Sequence, residues 1–304
     1  MDLKLADPFM RALKAVNSVS KGHTTMTEED LSKQRKSMEM ASKLATLPVG
    51  VTSTQETIEG VPCEWTRPDF IHNKKTIICY AHGGGYTSGG LSYAKILAAK
   101  LALHVGLEVV AFDYRLAPEN KYPAALEDGM KVWDYLMHMG YGAENVILAG
   151  DSAGGNLVLC MAQRIIGEGR KAPRAMILFS PWTDMTATSD TYEEFKEKDP
   201  ILTYDFIVSA RDAYIGSEVD PADPLYSPLY GSFAGFPPTL IQVGKNELLQ
   251  DDSNKLAKKI KKAGSRVTLQ LYPDGWHVFQ QMPTPGALTA MRAVGEWVNE
   301  LLFS

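Results

Sequence analysis

Residues 145–156, NVILAGDSAGGN, constrain the chain more than any other stretch. The apolar run at 146–149 has the length and bounds of a buried strand. It passes straight into Gly150, Asp151, Ser152, Ala153 and Gly154, after which LVLCMA at 157–162 reads as a helix. Strand, sharp turn with a central serine, then helix is the context of a nucleophile elbow. Glycines two before and two after the serine let strand and helix approach without Cβ clashes. The serine oxygen then stands above the sheet, with a helix N-terminus facing any negative charge that develops there.

Composition removes several competing classes. A formal net charge of -5 gives no electrostatic case for a nucleic-acid or anionic-membrane partner. The lysine-rich KLAKKIKK at 255–262 keeps Leu256 and Ile260 four apart, the pattern of a solvated helix face. The three cysteines, Cys63, Cys79 and Cys160, cannot build a framework of bridges and read as buried thiols. No Cys/His spacing suggests a metal site, so neither metal nor cofactor is expected. The N-terminus lacks an apolar h-region with a cleavage site, and no apolar run approaches membrane-spanning length. A cytoplasmic protein is the expectation.

Residues 3–47 read as helical, with Thr27, Glu28, Glu29 and Asp30 supplying a cap and an acidic first turn. Short strands follow over 51–66 with a turn at Gly60. TIICYA at 76–81 reads as a buried strand ending in His82, Gly83, Gly84, Gly85 and Tyr86. A helix at 93–103, a strand at 108–112, a helix opened by Pro123, the elbow strand and a strand at 175–179 come next. Residues 186–230 are polar, punctuated by proline and helical in pieces, an excursion from the sheet. Strands at 239–243 and 266–271 precede a last helix, with Leu288, Met291, Val294, Val298 and Leu301 as its apolar stripe. Alternating strands and helices imply an α/β fold with a mostly parallel sheet covered on both faces.

A serine near neutral pH needs a base, and the base needs an orienter. After an elbow serine the expected chain order is acid, then histidine, each just beyond a strand. Of six histidines only His277 lies after both the serine and a later strand. Glu247 is the first carboxylate after the strand at 239–243; Asp251 and Asp252 are rivals whose alternative role is capping the next helix. An oxyanion needs donors already in place. The turn His82, Gly83, Gly84, Gly85 offers unobstructed N–H groups, and the N–H of Ala153 adds another.

HGGGY, DYRLAPE followed by YPAAL, GDSAGGN, the Asp199–Pro200 pair, VGKNELLQDD and WHVF occur in this order. Together they resemble the bacterial hormone-sensitive lipase family (family IV) of carboxylesterases. The match runs from about residue 76 to the C-terminus. The resemblance implies an α/β-hydrolase catalytic domain over 49–304, with a helical cap made from residues 1–48 and an insertion at about 186–230. It implies Ser152 as nucleophile, His277 as base and Glu247 as acid, at a position where the family more often has Asp. Gly84, Gly85 and Ala153 match the oxyanion donors. His82, Gly83 and Asp151 match supporting motif positions, and Asp113, Arg115 and Glu119 match residues that brace loops. The expected reaction is hydrolysis of short-chain acyl esters, acetyl to hexanoyl, with Tyr86 and Trp276 crowding a small acyl pocket. An amidase or deacetylase using the same triad, or a ligand receptor of the same fold, are the alternatives. Family members commonly form dimers, so a homodimer is an expectation carried by the resemblance alone.

Overall fold

A computed structural model of the chain describes residues 26–44 and 48–303. The helical expectation for residues 3–25 and 45–47 lies outside the described residues. Eight strands form one sheet in the order β1-β2-β4-β3-β5-β6-β7-β8. They are β1 (Val51–Ile58), β2 (Val61–Pro68), β3 (Asn73–Ala81), β4 (Leu107–Phe112), β5 (Val146–Asp151), β6 (Ala175–Phe179), β7 (Thr239–Gly244) and β8 (Val267–Tyr272). The β1–β2 hairpin joins antiparallel through β2 to β4, and every other pair is parallel.

Strands β4 to β7 and the second half of β3 are buried because their side chains alternate between two apolar layers. Ile77, Cys79 and Ala81 of β3 enter one core cluster, while Ile78 and Tyr80 enter the other. Val146 and Leu148 of β5 divide from Ile147 and Ala149 in the same way. Helices α3 (Ala124–His138) and α4 (Ala153–Gly167) cover the first face; α2 (Leu91–Leu101) and α8 (Pro285–Phe303) cover the second. Crossover helices on both faces are what a parallel sheet of continuous apolar strands requires. On α8 the buried stripe is Met291, Val294, Trp297, Val298 and Leu301. Leu288 is exposed, and Ala287 turns inward in its place near the start of the helix.

Helix α1 (Glu28–Leu44) begins at a reciprocal cap. The Thr27 N–H donates to Asp30 Oδ2 at 3.0 Å, and the Asp30 N–H donates to Thr27 Oγ1 at 3.1 Å. Arg35, on this helix, donates to both carboxylate oxygens of Glu119 at 2.8 and 2.7 Å and to the carbonyls of Thr87 and Ala117. One guanidinium therefore ties α1 to the two loops that follow β3 and β4. Between β6 and β7 the chain leaves the sheet for residues 186–230, which include α5 (Thr191–Glu194) and α6 (Tyr204–Ile215). Helix α7 (Gln250–Lys262) buries Leu256 and Ile260 as their spacing predicts.

The topology fixes where a site can open. From β3 the chain moves outward to β4, then returns to β5 on the other side of β3. Loops leaving the carboxyl ends of β3 and β5 thus diverge, and the crevice between them is the switch point of the sheet.

Candidate active site

The loops at that crevice are the glycine turn after β3 and the serine turn after β5. Ser152 has φ 52° and ψ −120°, a positive φ for a residue with a side chain. Such geometry persists only where the surroundings enforce it. Here the Ser152 N–H donates to the Phe179 carbonyl, and its own carbonyl accepts from Asn156 and Trp182. A Cβ on Gly154 would stand 2.1 Å from the Ala81 carbonyl oxygen, so the first turn of α4 fits against β3 only as glycine. Gly154→Ala gains up to about 1 kcal/mol of helix propensity. The overpacking outweighs it, for a net loss of about 1–3 kcal/mol. Urea unfolding should show a lower midpoint with an unchanged slope.

The glycine turn is anchored from beneath by Asp151. This buried carboxylate accepts from the Tyr80 hydroxyl at 2.5 Å, the Tyr93 hydroxyl at 2.7 Å and the Gly83 N–H at 2.9 Å. Burial raises its pKa, and the two phenol hydrogen bonds oppose that rise. Gly84 has φ +118°, and a Cβ there would lie 2.2 Å from the Ser88 carbonyl oxygen. Its own carbonyl accepts from the Thr87 and Ser88 amides, which closes the turn. His82 lies under the turn, stacked on Tyr114 at 4.2 Å, with Nδ1–H donating to the Gly83 carbonyl at 2.8 Å. Asp113 stands 3.7 Å from His82 Nε2, and Arg115 donates to Asp128 and Glu127. Gly84 and Gly85 line the same cavity as Ser152. Ala153 is the first residue of α4, so its N–H has no intrahelical acceptor.

The structure brings Ser152, His277 and Glu247 into one chain of contacts. His277 Nε2 lies 2.9 Å from Ser152 Oγ, and His277 Nδ1 lies 3.3 Å from Glu247 Oε1. The other oxygen, Glu247 Oε2, accepts from the Gly244 N–H at 2.8 Å and the Ser180 hydroxyl at 2.9 Å. With Glu247 acting as acceptor throughout, Nδ1 carries the imidazole proton and Nε2 faces the serine as an acceptor. Burial lowers the His277 pKa, but the hydrogen bond and charge of Glu247, with the charges of Asp199 and Asp151, outweigh it and leave the net pKa raised.

Asp251 and Asp252 stand elsewhere. Asp251 faces Asn254 and Lys255 on α7. Asp252 is fully buried and accepts from the Thr183 and Asp184 amides at 2.7 and 3.0 Å, so it braces the loop after β6 and does not cap its own helix. Burial foremost pushes its pKa up to about 7.

Three further residues matter in this region, and of them only Asp199, paired with Pro200, belongs to a motif in the sequence. Ser180 bridges the two later loops, donating to Glu247 and accepting from the Val278 N–H at 3.1 Å. Its place at the carboxyl end of β6 is the one sequence clue. Asp199 Oδ1 accepts from the Ile201 and Leu202 amides, and its Oδ2 accepts from the Leu248 amide. It thereby fastens the 186–230 excursion to the Glu247 loop. Gln281, the third, lines the cavity. Tyr86 and Trp276 do not line it. The Tyr86 ring stacks on Tyr214 at 3.7 Å and its hydroxyl donates to Asn156, while Trp276 packs into the core. Met38, Ile201, Leu202 and Phe206 provide the apolar wall instead. The cavity measures about 30 Å³. Among the described residues no cluster of His, Cys, Asp or Glu could hold a metal ion, and no helix is long and apolar enough to cross a membrane.

Proteins similar to this chain include esterases. A family described as the alpha/beta hydrolase fold matches residues 78–281. A crystal structure of an esterase from the bacterial hormone-sensitive lipase family superposes with a TM-score of 0.87 at 30% identity, covering 97% of this chain and 98% of that one. The chain belongs to the bacterial hormone-sensitive lipase family. Among relatives of this hormone-sensitive lipase family member, an esterase of Acinetobacter venetianus is 33% identical over 227 residues, 74% of this chain and 75% of the relative. An acetyl-hydrolase of Streptomyces hygroscopicus is 34% identical over 223 residues, 73% of this chain and 74% of the relative. This member of the family is a carboxylic ester hydrolase with an α/β-hydrolase fold.

Proposed function

We propose that the protein hydrolyses short-chain acyl esters, acetyl to hexanoyl, through an acyl-enzyme formed on Ser152. The observation that carries this reading is the contact chain from Ser152 Oγ through His277 to Glu247. Neutral His277 takes the serine proton as Oγ attacks the ester carbonyl. The tetrahedral oxyanion is held by the N–H groups of Gly84, Gly85 and Ala153, which need no rearrangement to receive it. His277, now protonated, passes its proton to the departing alkoxide, and the alcohol leaves. A water deprotonated by the same imidazole then attacks the acyl-enzyme, and the acid is released. Glu247 holds the imidazole tautomer and stabilises the imidazolium.

The preference for short acyl chains rests on the size of the cavity. A cavity of about 30 Å³ leaves little room for a long acyl chain. Ile201, Leu202 and Phe206, from the 186–230 stretch, and Met38, from α1, close over the serine. We assign these segments as the cap over a catalytic domain of residues 49–304. The acetyl-hydrolase of Streptomyces hygroscopicus supports the same acyl class. Across a series of 4-nitrophenyl esters, kcat/KM should peak between acetyl and hexanoyl and be at least about tenfold lower at dodecanoyl, a loss of roughly 1.4 kcal/mol in transition-state binding. A rate rising steadily to dodecanoyl would contradict the proposal. Similarity to esterases supports the ester reading over the amide one, and turnover of the matching anilide should be far slower. Three buried free thiols support a reducing, cytoplasmic setting. A homodimer is proposed from the family alone; sedimentation velocity distinguishes it from a monomer.

A further inference from the structure

Gln281 lines the cavity that holds Ser152 and His277, and its side chain is more than nine-tenths buried. Among the described residues neither its Nε2 nor its Oε1 has a hydrogen-bond partner. The amide stands close enough to the Tyr93 phenol to favour that group's ionised form, but not at hydrogen-bonding geometry, and the phenol proton is already given to Asp151. A buried carboxamide with both ends unsatisfied destabilises a fold, and leucine would fill similar space without that cost.

The backbone around it is nonetheless held firmly. The Gln281 N–H donates to the Val278 carbonyl. The Lys100 ammonium donates to the carbonyls on either side, Gln280 at 2.6 Å and Met282 at 2.8 Å. A polar residue whose backbone is fixed, whose carboxamide completes no hydrogen bond among the described residues and which lines the cavity of Ser152 is a candidate substrate contact.

We propose that Gln281 is a specificity-determining residue that binds a neutral hydroxyl carried by the substrate close to the scissile ester. The inference deepens the esterase reading and rests on it. A hydroxyl suits the carboxamide because it donates to Oε1 and accepts from Nε2. The cavity lining contains no Lys or Arg, which disfavours an anionic substituent. Apart from Ser152, His277 and Tyr93, whose hydroxyl is given to Asp151, the wall is apolar, so the hydroxyl belongs on a short aliphatic ester.

The test uses two substrate pairs with wild type, Gln281→Leu and the length-matched Gln281→Met. The acyl-side pair is 4-nitrophenyl butyrate against 4-nitrophenyl 3-hydroxybutyrate. The alcohol-side pair is ethyl butyrate against 2-hydroxyethyl butyrate. Wild type should prefer the hydroxylated ester by about tenfold or more in kcat/KM within one pair. Both variants should shift in opposite directions within that pair, with the plain ester faster and the hydroxylated ester slower, and their melting points should rise. A structural role would instead lower the melting point and slow both esters together. Equal wild-type rates within both pairs would overturn the proposal, as would a preference that survives in the variants. Failure of wild type to hydrolyse any of the four esters, with no acylation of Ser152 by a fluorophosphonate probe, would remove the esterase mechanism itself and this inference with it.

Discussion

Ser152→Ala is expected to lower kcat on 4-nitrophenyl acetate by about 10⁵- to 10⁶-fold while leaving the protein folded. The expectation follows from what the hydroxyl does. Its oxygen is the atom 2.9 Å from His277 Nε2, at the centre of a turn whose backbone is held by Phe179, Asn156 and Trp182. Alanine keeps that backbone network, and at φ 52° it is no more strained than serine. The stability change should therefore stay within about 0.5 kcal/mol. The proposed oxyanion donors and the apolar wall also survive, so a competitive ester analogue should bind the variant much as it binds wild type. The residual rate would come from those donors and from substrate binding. Covalent labelling by a fluorophosphonate should vanish with the activity. Retention of wild-type turnover would dismiss Ser152 as the nucleophile.

The sheet could be read in the sequence because its central strands are short apolar runs that end at glycine, proline or polar clusters, and those runs, in β3 to β7, proved to be buried on both faces, while β8 at the edge is half-buried. The elbow was legible for a related reason. A strand, a serine between spaced glycines and a helix admit few other geometries, and Gly154 against the Ala81 carbonyl shows why. Expectations failed where side-chain direction depended on distant partners. Tyr86 follows the glycine turn, but Tyr214 draws its ring into a stack away from the cavity. Trp276 adjoins His277 in sequence, yet the turn sends it into the core. Asp252 has the sequence of a helix cap, and the amides of Thr183 and Asp184, about 69 residues back in the chain, claim it instead. Ser180 and Gln281 were silent for the same reason, and Asp199, although its pair with Pro200 belongs to the family resemblance, carried no assigned role: each matters only through groups that folding brings to it.

Glu247→Gln is expected to reduce kcat by about 10⁴-fold, and its pH profile separates loss of a carboxylate's charge from a general loosening of the site. Glu247 accepts on both oxygens, from Gly244 and Ser180 on one and from His277 on the other. A glutamine keeping its oxygen toward Gly244 and Ser180 would present its NH₂ to His277 Nδ1. That nitrogen must then accept, the imidazole proton moves to Nε2, and the group facing Ser152 becomes a donor that cannot take the serine proton. In wild type the His277 pKa stands above the ordinary 6.5: burial lowers it, and Glu247's hydrogen bond and charge, aided by Asp199 and Asp151, raise it further. With the neutral imidazole as the proposed base, wild-type activity should be complete above the raised pKa and fall as pH drops through it. Removing the Glu247 charge should move that acidic limb to lower pH even as the plateau collapses. Asp251→Ala, on the outer side of α7, should keep both the limb and kcat within about twofold of wild type. Should Asp251→Ala instead produce the larger loss and the shifted limb, the acid role passes to Asp251.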